Sequence, residues 1–266
     1  MAPRSERLAR LFLLLGDDGL DRLADSTVMV IGLGGVGSAC AEALARGGVG
    51  SLILLDGDVV EESNMNRQAL AFTSTLGMKK TEAMTTMVHE INPDCTVTAR
   101  FGFLTPDNVE EVLKSFPRPD YVLDCIDTVT QKLAIAKWCA DNGVRHLSSM
   151  GAANRLDPTQ LEFANIRKTK ICPMARVVRL ECKAQRIKGV EVLYSTEIPQ
   201  KPGKPGARTK GKSLGSMSYM PPIMGQMLAG KVIRRLSGLE PLPRPPRRFR
   251  TREQALALEA SNAQLA

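Results

Sequence analysis

The chain has 266 residues, 43% of them hydrophobic, and a formal net charge of +8. This suits one large α/β domain with an ordinary core. No apolar run approaches the roughly 18 residues of a membrane-spanning helix, and Arg4, Glu6, Arg7 and Arg10 interrupt any signal-peptide pattern, so a cytoplasmic protein is expected.

In chain order, residues 5–25 read as an amphipathic helical segment. Thr27 to Ile31 form a buried strand, and Gly32-Leu33-Gly34-Gly35-Val36-Gly37-Ser38 a glycine turn. A helix from Ala39 to Gly47 follows, then a second buried strand, Leu52 to Leu55, closing on Asp56. This is a nucleotide-binding βαβ unit. Gly32 allows the tight turn, Gly34 and Gly35 let backbone N–H groups approach phosphate, and Gly37 allows close helix packing. Phosphate would sit at the helix N-terminus, where unpaired N–H groups and the dipole favour anions. Asp56, 19 residues past Gly37, has the spacing of a carboxylate that holds ribose hydroxyls.

A dinucleotide would be the default ligand for such a unit. The polar run Asp58-Val-Val-Glu-Glu-Ser-Asn-Met-Asn-Arg67-Gln68 offers no apolar slot for nicotinamide, but it suits a triphosphate. Arg67 can fork onto phosphate oxygens, Asn64 can donate an amide, and Lys80 can supply a point charge.

Helices are expected over Met78–Ile91, Asn108–Ser115 and Thr130–Asn142. Strands are expected over 121–126, ending just before Asp127, and over 144–148. Asp127 then lies past a strand's carboxyl end, where open α/β sheets bind ligands, and Asp124 reads as a structural acid. Residues 149–155 form a loop placed to line a substrate pocket. Strands Leu161–Asn165 and Val190–Ser195 are joined through a helix Met174–Lys188, and a last helix spans Ile223–Ser237.

The six cysteines contain no C-x-x-C pair and read mostly as buried thiols, although Cys172, before Pro173, could lie at the surface. His89 reads as a helix-surface residue and His146 as packing. Charge is uneven. Residues 170–252 carry 19 Lys/Arg and 4 acids, a net of +15, whereas the rest carries 17 bases and 24 acids, a net of −7. A basic C-terminal third on an acidic nucleotide-binding body points to a second, larger polyanion. The expected organisation is one domain over 1–240 with a basic flexible loop at about 199–216, followed by a basic tail over 241–266.

Gly-Leu-Gly-Gly-Val-Gly-Ser, Asp56-Gly57-Asp58, Ser63-Asn64-x-Asn66-Arg67-Gln68, Lys80 and Asp124-Cys-Ile-Asp127 resemble the adenylating domain of the ubiquitin-activating-enzyme superfamily. The resemblance implies a doubly wound, Rossmann-like α/β sheet, a dimer, and ATP-dependent conversion of a carboxylate to an acyl-adenylate. By the same resemblance Asp56 binds ribose, Arg67 and Lys80 hold phosphates, and Asp127 coordinates Mg²⁺. Asp58 and Asn64 belong to the nucleotide site, and Arg10 reaches into a partner subunit's site.

Within the superfamily, Arg7-x-x-Arg10, Leu14-Leu15-Gly16, Ser148-Ser-Met-Gly-Ala152 and the basic loop before Pro221-Pro222 resemble the tRNA threonylcarbamoyladenosine dehydratases. That resemblance implies cyclisation of the modified adenosine beside the anticodon, with tRNA bound by the basic third, and suggests a sulfur-relay protein as a further partner. The alternative is adenylation of the C-terminal glycine of a ubiquitin-like sulfur carrier. Enzymes of that kind commonly hold zinc through two C-x-x-C pairs, which this sequence lacks.

Overall fold

The structure is a computed structural model and describes residues 6–201 and 214–243. Strands β1 (Thr27–Ile31), β2 (Ser51–Asp56), β3 (Thr96–Phe101), β4 (Tyr121–Asp124), β5 (Arg145–Ser149), β6 (Leu161–Asn165) and β7 (Glu191–Ser195) form one sheet. Their order is β3-β2-β1-β4-β5-β7-β6, and every pairing is parallel except β6 with β7. The helices are α1 (Ala9–Ala24), α2 (Gly35–Arg46), α3 (Lys80–Ile91), α4 (Val109–Lys114), α5 (Val129–Asn142), α6 (Pro173–Ala184) and α7 (Met220–Leu236). The expected doubly wound α/β architecture is present. The strand order reverses between β1 and β4, and that reversal opens a crevice at the strands' carboxyl ends.

Between their ends, β1, β2 and β4 are continuously apolar because both faces are covered. Val28, Val30, Leu52, Leu54 and Leu123 pack with α2, α3 and α7 on one face. Met29, Ile31, Ile53, Leu55 and Val122 pack with α4 and α5 on the other. Each such side chain, fully buried, contributes about 1.5–3 kcal/mol. A smaller cluster joins α5 and α6 to Val192 and Tyr194 of β7. Helix α7 lies so close to α2 that a Cβ on Gly225 would stand 2.2 Å from the Val36 carbonyl oxygen. Its far end is clamped by Arg235, which donates to Glu191 at 2.6 and 2.9 Å and to the Tyr121 hydroxyl at 2.6 Å. The glycine-turn helix is therefore braced between sheet and α7.

Several boundaries differ from expectation. Helix α2 begins at Gly35 rather than Ala39, because packing overrides the low helix propensity of Gly35 and Gly37. Helix α6 stops at Ala184, short of Lys188, where Arg186 and Gly189 take positive φ. Strand β3 has no counterpart in the elements expected from sequence. It is an edge strand, mostly exposed, in which Val97, Ala99 and Phe101 alternate with Thr96, Thr98 and Arg100 without any of the six being buried. Cys172 is buried, not superficial, and so are the other five thiols. His89 is exposed on α3 and His146 is buried in β5, as expected. Of the expected basic loop and tail, residues 202–213 and 244–266 lie outside the described residues.

Candidate active site

The glycine turn joins β1 to α2 at the sheet's switch point. Gly32 has φ +86°, and a Cβ there would press on the Cys125 backbone at 3.1 Å. Gly37 is stricter: its Cβ would lie 1.7 Å from the Gly32 carbonyl oxygen. Gly34 faces open space, with nothing within 4 Å of a Cβ. The leading N–H groups of α2 have no partner within the helix and point toward that space, where an anion would be stabilised. Ser38 ties the turn to the next loop: its hydroxyl donates to the Gly34 carbonyl at 2.7 Å and accepts from the Ala69 N–H at 3.0 Å.

Asp56 ends β2 beside this turn. It accepts the Leu33 N–H at 2.6 Å and the Asp58 N–H at 2.7 Å. Burial pushes its carboxyl pKa up, and the two N–H groups and Lys80 oppose that rise. Lys80, the first residue of α3 and 5% exposed, pairs with Asp58 at 2.9 Å, which holds its ammonium near the turn. Arg67 lies over the N-terminus of α2, its stem against Gly35, and donates to the Ser63 carbonyl at 2.9 Å and to Asn66 at 2.8 Å. Asn64, read from sequence as a phosphate donor, is buried instead. Its side-chain oxygen accepts the Glu61 N–H at 3.1 Å and its amide donates to Ser63 at 3.3 Å, so it shapes the loop that carries Arg67.

Asp127 stands exposed past β4, across the switch point from the glycine turn, and among the described residues accepts the Thr128 hydroxyl, at 3.3 Å. No cluster of three or more metal-ligating side chains occurs among the described residues. One open carboxylate beside a phosphate site nevertheless fits Mg²⁺, which is usually held by one or two carboxylates with water and substrate phosphates.

Beneath Asp127 lies a network that the sequence did not reveal. Lys132 Nζ, 2% exposed, contacts both Asp124 oxygens at 3.2 Å and Ser148 at 3.1 Å, while the Ser148 hydroxyl donates to Asp124 at 2.7 Å. His146 Nε2, at 3.9 Å, is too far to hydrogen-bond. Burial pushes the Asp124 carboxyl up, but the Lys132 ammonium, with His146 and Ser148, outweighs it and holds the pKa at about 2. Asp124 also accepts the Ile126 N–H at 3.2 Å, which fixes the turn leading to Asp127. The legible signal was a lysine on α5's apolar stripe, in line with Ala136 and Cys139. Phe103 carried no signal either. Its ring lies against Gly57 and is 63% exposed beside the ribose-side acids.

Arg10 is not brought to this site within one chain. Arg7, one turn earlier, donates to Asn92 at 2.6 Å and to Asp94 at 2.5 Å, at the end of the sheet where strands begin. The glycine turn lies at the other end, roughly 17 Å away along β2. The loop over residues 149–155 does border the crevice. Its Asn154 pairs with Gly215 through N–H to carbonyl at 2.9 Å and side-chain oxygen to N–H at 2.7 Å, and Ser216 accepts Asn66 at 3.1 Å.

Residues 6–262 match the ThiF family. The tRNA threonylcarbamoyladenosine dehydratase of Bacillus subtilis is 38% identical over 238 residues, which is 85% of this chain and 93% of that one. The crystal structure of the Escherichia coli tRNA N6-threonylcarbamoyladenosine dehydratase in complex with ATP superposes with a TM-score of 0.79 at 32% identity. The match covers 88% of this chain and 95% of that one. The same Escherichia coli enzyme in complex with AMP gives a TM-score of 0.80 at 31% identity, over 90% and 98% of the two chains. The chain thus belongs to the ThiF family, in its branch of tRNA threonylcarbamoyladenosine dehydratases.

Proposed function

We propose that this protein is an ATP-dependent tRNA threonylcarbamoyladenosine dehydratase. The observation that carries the reading is a crevice joining an anion-binding glycine turn, two cations and an open carboxylate, in a chain similar to such enzymes along most of its length. ATP binds with its phosphates over the N-terminus of α2 and its ribose at Asp56. The threonine carboxylate attacks the α-phosphorus, pyrophosphate leaves, and the ureido group then displaces AMP to close the ring. That second step is intramolecular and gains from proximity, because both reactants belong to one base.

Bringing two anions together requires fixed positive charge. Arg67 and Lys80 supply it without reorganising, since Lys80 is already held by Asp58 and Arg67 by its own loop. Asp127 would hold Mg²⁺, which neutralises phosphate charge as it builds. Arg10 serves the partner subunit's site in a homodimer. Exposed Leu13 and Leu14, 72% and 76% accessible on the same helix, support an apolar subunit contact there. The basic third binds tRNA phosphates, and a sulfur-relay protein is a further candidate partner. A tRNA-modifying enzyme works in the cytoplasm, and no helix among the described residues is long and apolar enough to cross a membrane. Activation of a sulfur-carrier protein has less support, because the dehydratase similarity extends past the shared nucleotide motifs and no C-x-x-C pair exists for zinc.

The test is AMP release by wild type and Asp127→Ala with tRNA bearing threonylcarbamoyladenosine. Wild type should form AMP only with that tRNA. Asp127→Ala should fold normally and lose at least ~100-fold in rate, the scale of a lost transition-state charge interaction. Wild-type turnover by Asp127→Ala would remove that residue from the chemistry.

A further inference from the structure

Arg155 is the largest of the fully buried side chains, 2% exposed, yet its Nε and Nη1 have no hydrogen-bond partner. No described carboxylate lies within ion-pair reach of it. Glu197, which reaches the same stretch of chain, accepts the N–H groups of Leu156, at 2.9 Å, and Asp157, at 3.1 Å. A guanidinium is a cation with five N–H donors, and here two of its three nitrogens are buried without an acceptor. Burying such donors unsatisfied is costly, and packing alone does not recover the cost.

Its position links it to the nucleotide. Asn154, held at φ +57°, is joined to Gly215 by two hydrogen bonds, and Ser216 beside it accepts from Asn66, the neighbour of Arg67. Tyr219 closes the same stretch by donating to the Leu156 carbonyl at 2.8 Å, and Pro221 follows against Gly35. A line of contacts thus runs from Asn66, the neighbour of the phosphate-side arginine, to Asn154 and Leu156, the chain neighbours of Arg155. Arg155 itself lies on the loop that follows the carboxyl end of β5, the strand paired with β4.

We propose that Arg155 is the receptor for the substrate's carboxylate, holding the threonine carboxyl of the modified base beside the α-phosphorus. The phosphates already have the α2 N–H groups, Arg67 and Lys80. The second anion of the reaction needs its own cation, and a planar guanidinium matches a planar carboxylate. An unpaired, buried charge in the free enzyme is relieved only when that anion arrives, so the site binds the acid strongly and a neutral ester poorly.

This inference rests on the dehydratase reading, and the experiment separates the two. Arg155→Met and Arg155→Lys are compared with wild type in three measurements: kcat/KM for tRNA bearing threonylcarbamoyladenosine, Kd for ATP, and Tm. Arg155→Met should lower kcat/KM roughly 10–100-fold, the scale of a hydrogen bond to a charged group. Its ATP affinity should be unchanged and its Tm equal to or above wild type, since an unpaired buried charge is gone. Arg155→Lys should recover part of the loss. A fall in Tm together with activity would make Arg155 structural, and a parallel loss of ATP affinity would make it a phosphate ligand. Unchanged kcat/KM would leave it no role; any of these three results overturns the inference. Wild type that binds ATP but leaves the tRNA unaltered would instead overturn the dehydratase reading.

Discussion

Gly34 and Gly37 are three residues apart and identical in chemistry, yet they do different things. Gly37 is required by the fold, because a methyl there would overlap the Gly32 carbonyl at 1.7 Å and neither atom belongs to a movable side chain. Gly34 is not required by packing, because nothing lies within 4 Å of a Cβ there, and in the proposed function its bareness serves the nucleotide. Gly37→Ala should therefore lower Tm in the absence of nucleotide, by several degrees or to the point of not folding. Gly34→Ala should keep its Tm and lose most of the ATP-induced rise. Thermal melts with and without ATP check both. Equal behaviour of the two variants would mean that the turn is not built as described. The glycine spacing, Asp56, Arg67 and Lys80 were picked out from local sequence pattern, and the structure gathers them at one end of the sheet. Lys132 was passed over although it falls on the apolar stripe of α5, and Arg155 sits in a loop with no periodicity to mark it as enclosed.

At the scale of elements, β4 and α5 are joined by the Asp124–Lys132 pair as much as by apolar packing. Replacing Lys132 by Met leaves a buried carboxylate without its charge partner, held only by Ser148 and the Ile126 N–H, which should cost about 3–5 kcal/mol. The pH dependence has a definite sign. The Asp124 pKa is about 2 in the folded protein against an ordinary 3.8, so its stabilisation is present above pH 3.8 and is lost as pH falls toward 2. The amount is roughly 2 kcal/mol. Urea midpoints between pH 5 and 2.5 should decline more steeply for wild type than for Asp124→Asn, and identical slopes would exclude Asp124 as the source. Strong apolar runs made β1, β2 and β4 legible. Strand β3 was missed although Val97, Ala99 and Phe101 alternate with Thr96, Thr98 and Arg100: as an edge strand it leaves most of these positions exposed, so the alternation marks no buried face. Its place is set by pairing with β2, a long-range contact.

The whole molecule divides by charge: an acidic nucleotide-binding body and a basic stretch over residues 170–252. That asymmetry was plain in the sequence, and it concerns partners more than fold. Replacing Lys201, Lys204, Arg208, Lys210 and Lys212 by Ala should weaken tRNA binding and flatten its salt dependence. The log–log slope should fall by up to ~0.7–0.9 for each phosphate that these cations no longer neutralise. ATP affinity should not change. An unchanged salt slope would assign those cations to solubility. A dimer was suggested only by the resemblance that singled out Arg10; within one chain, the contacts of Arg7 put the start of that helix at the opposite end of the sheet from the glycine turn.

Nucleoside mass spectrometry of tRNA bearing threonylcarbamoyladenosine, incubated with this protein, ATP and Mg²⁺, decides whether the crevice cyclises its substrate. The expected result is loss of one water from the modified nucleoside, dependent on ATP and matched by AMP. An unchanged nucleoside from protein that binds ATP normally would contradict the dehydratase function.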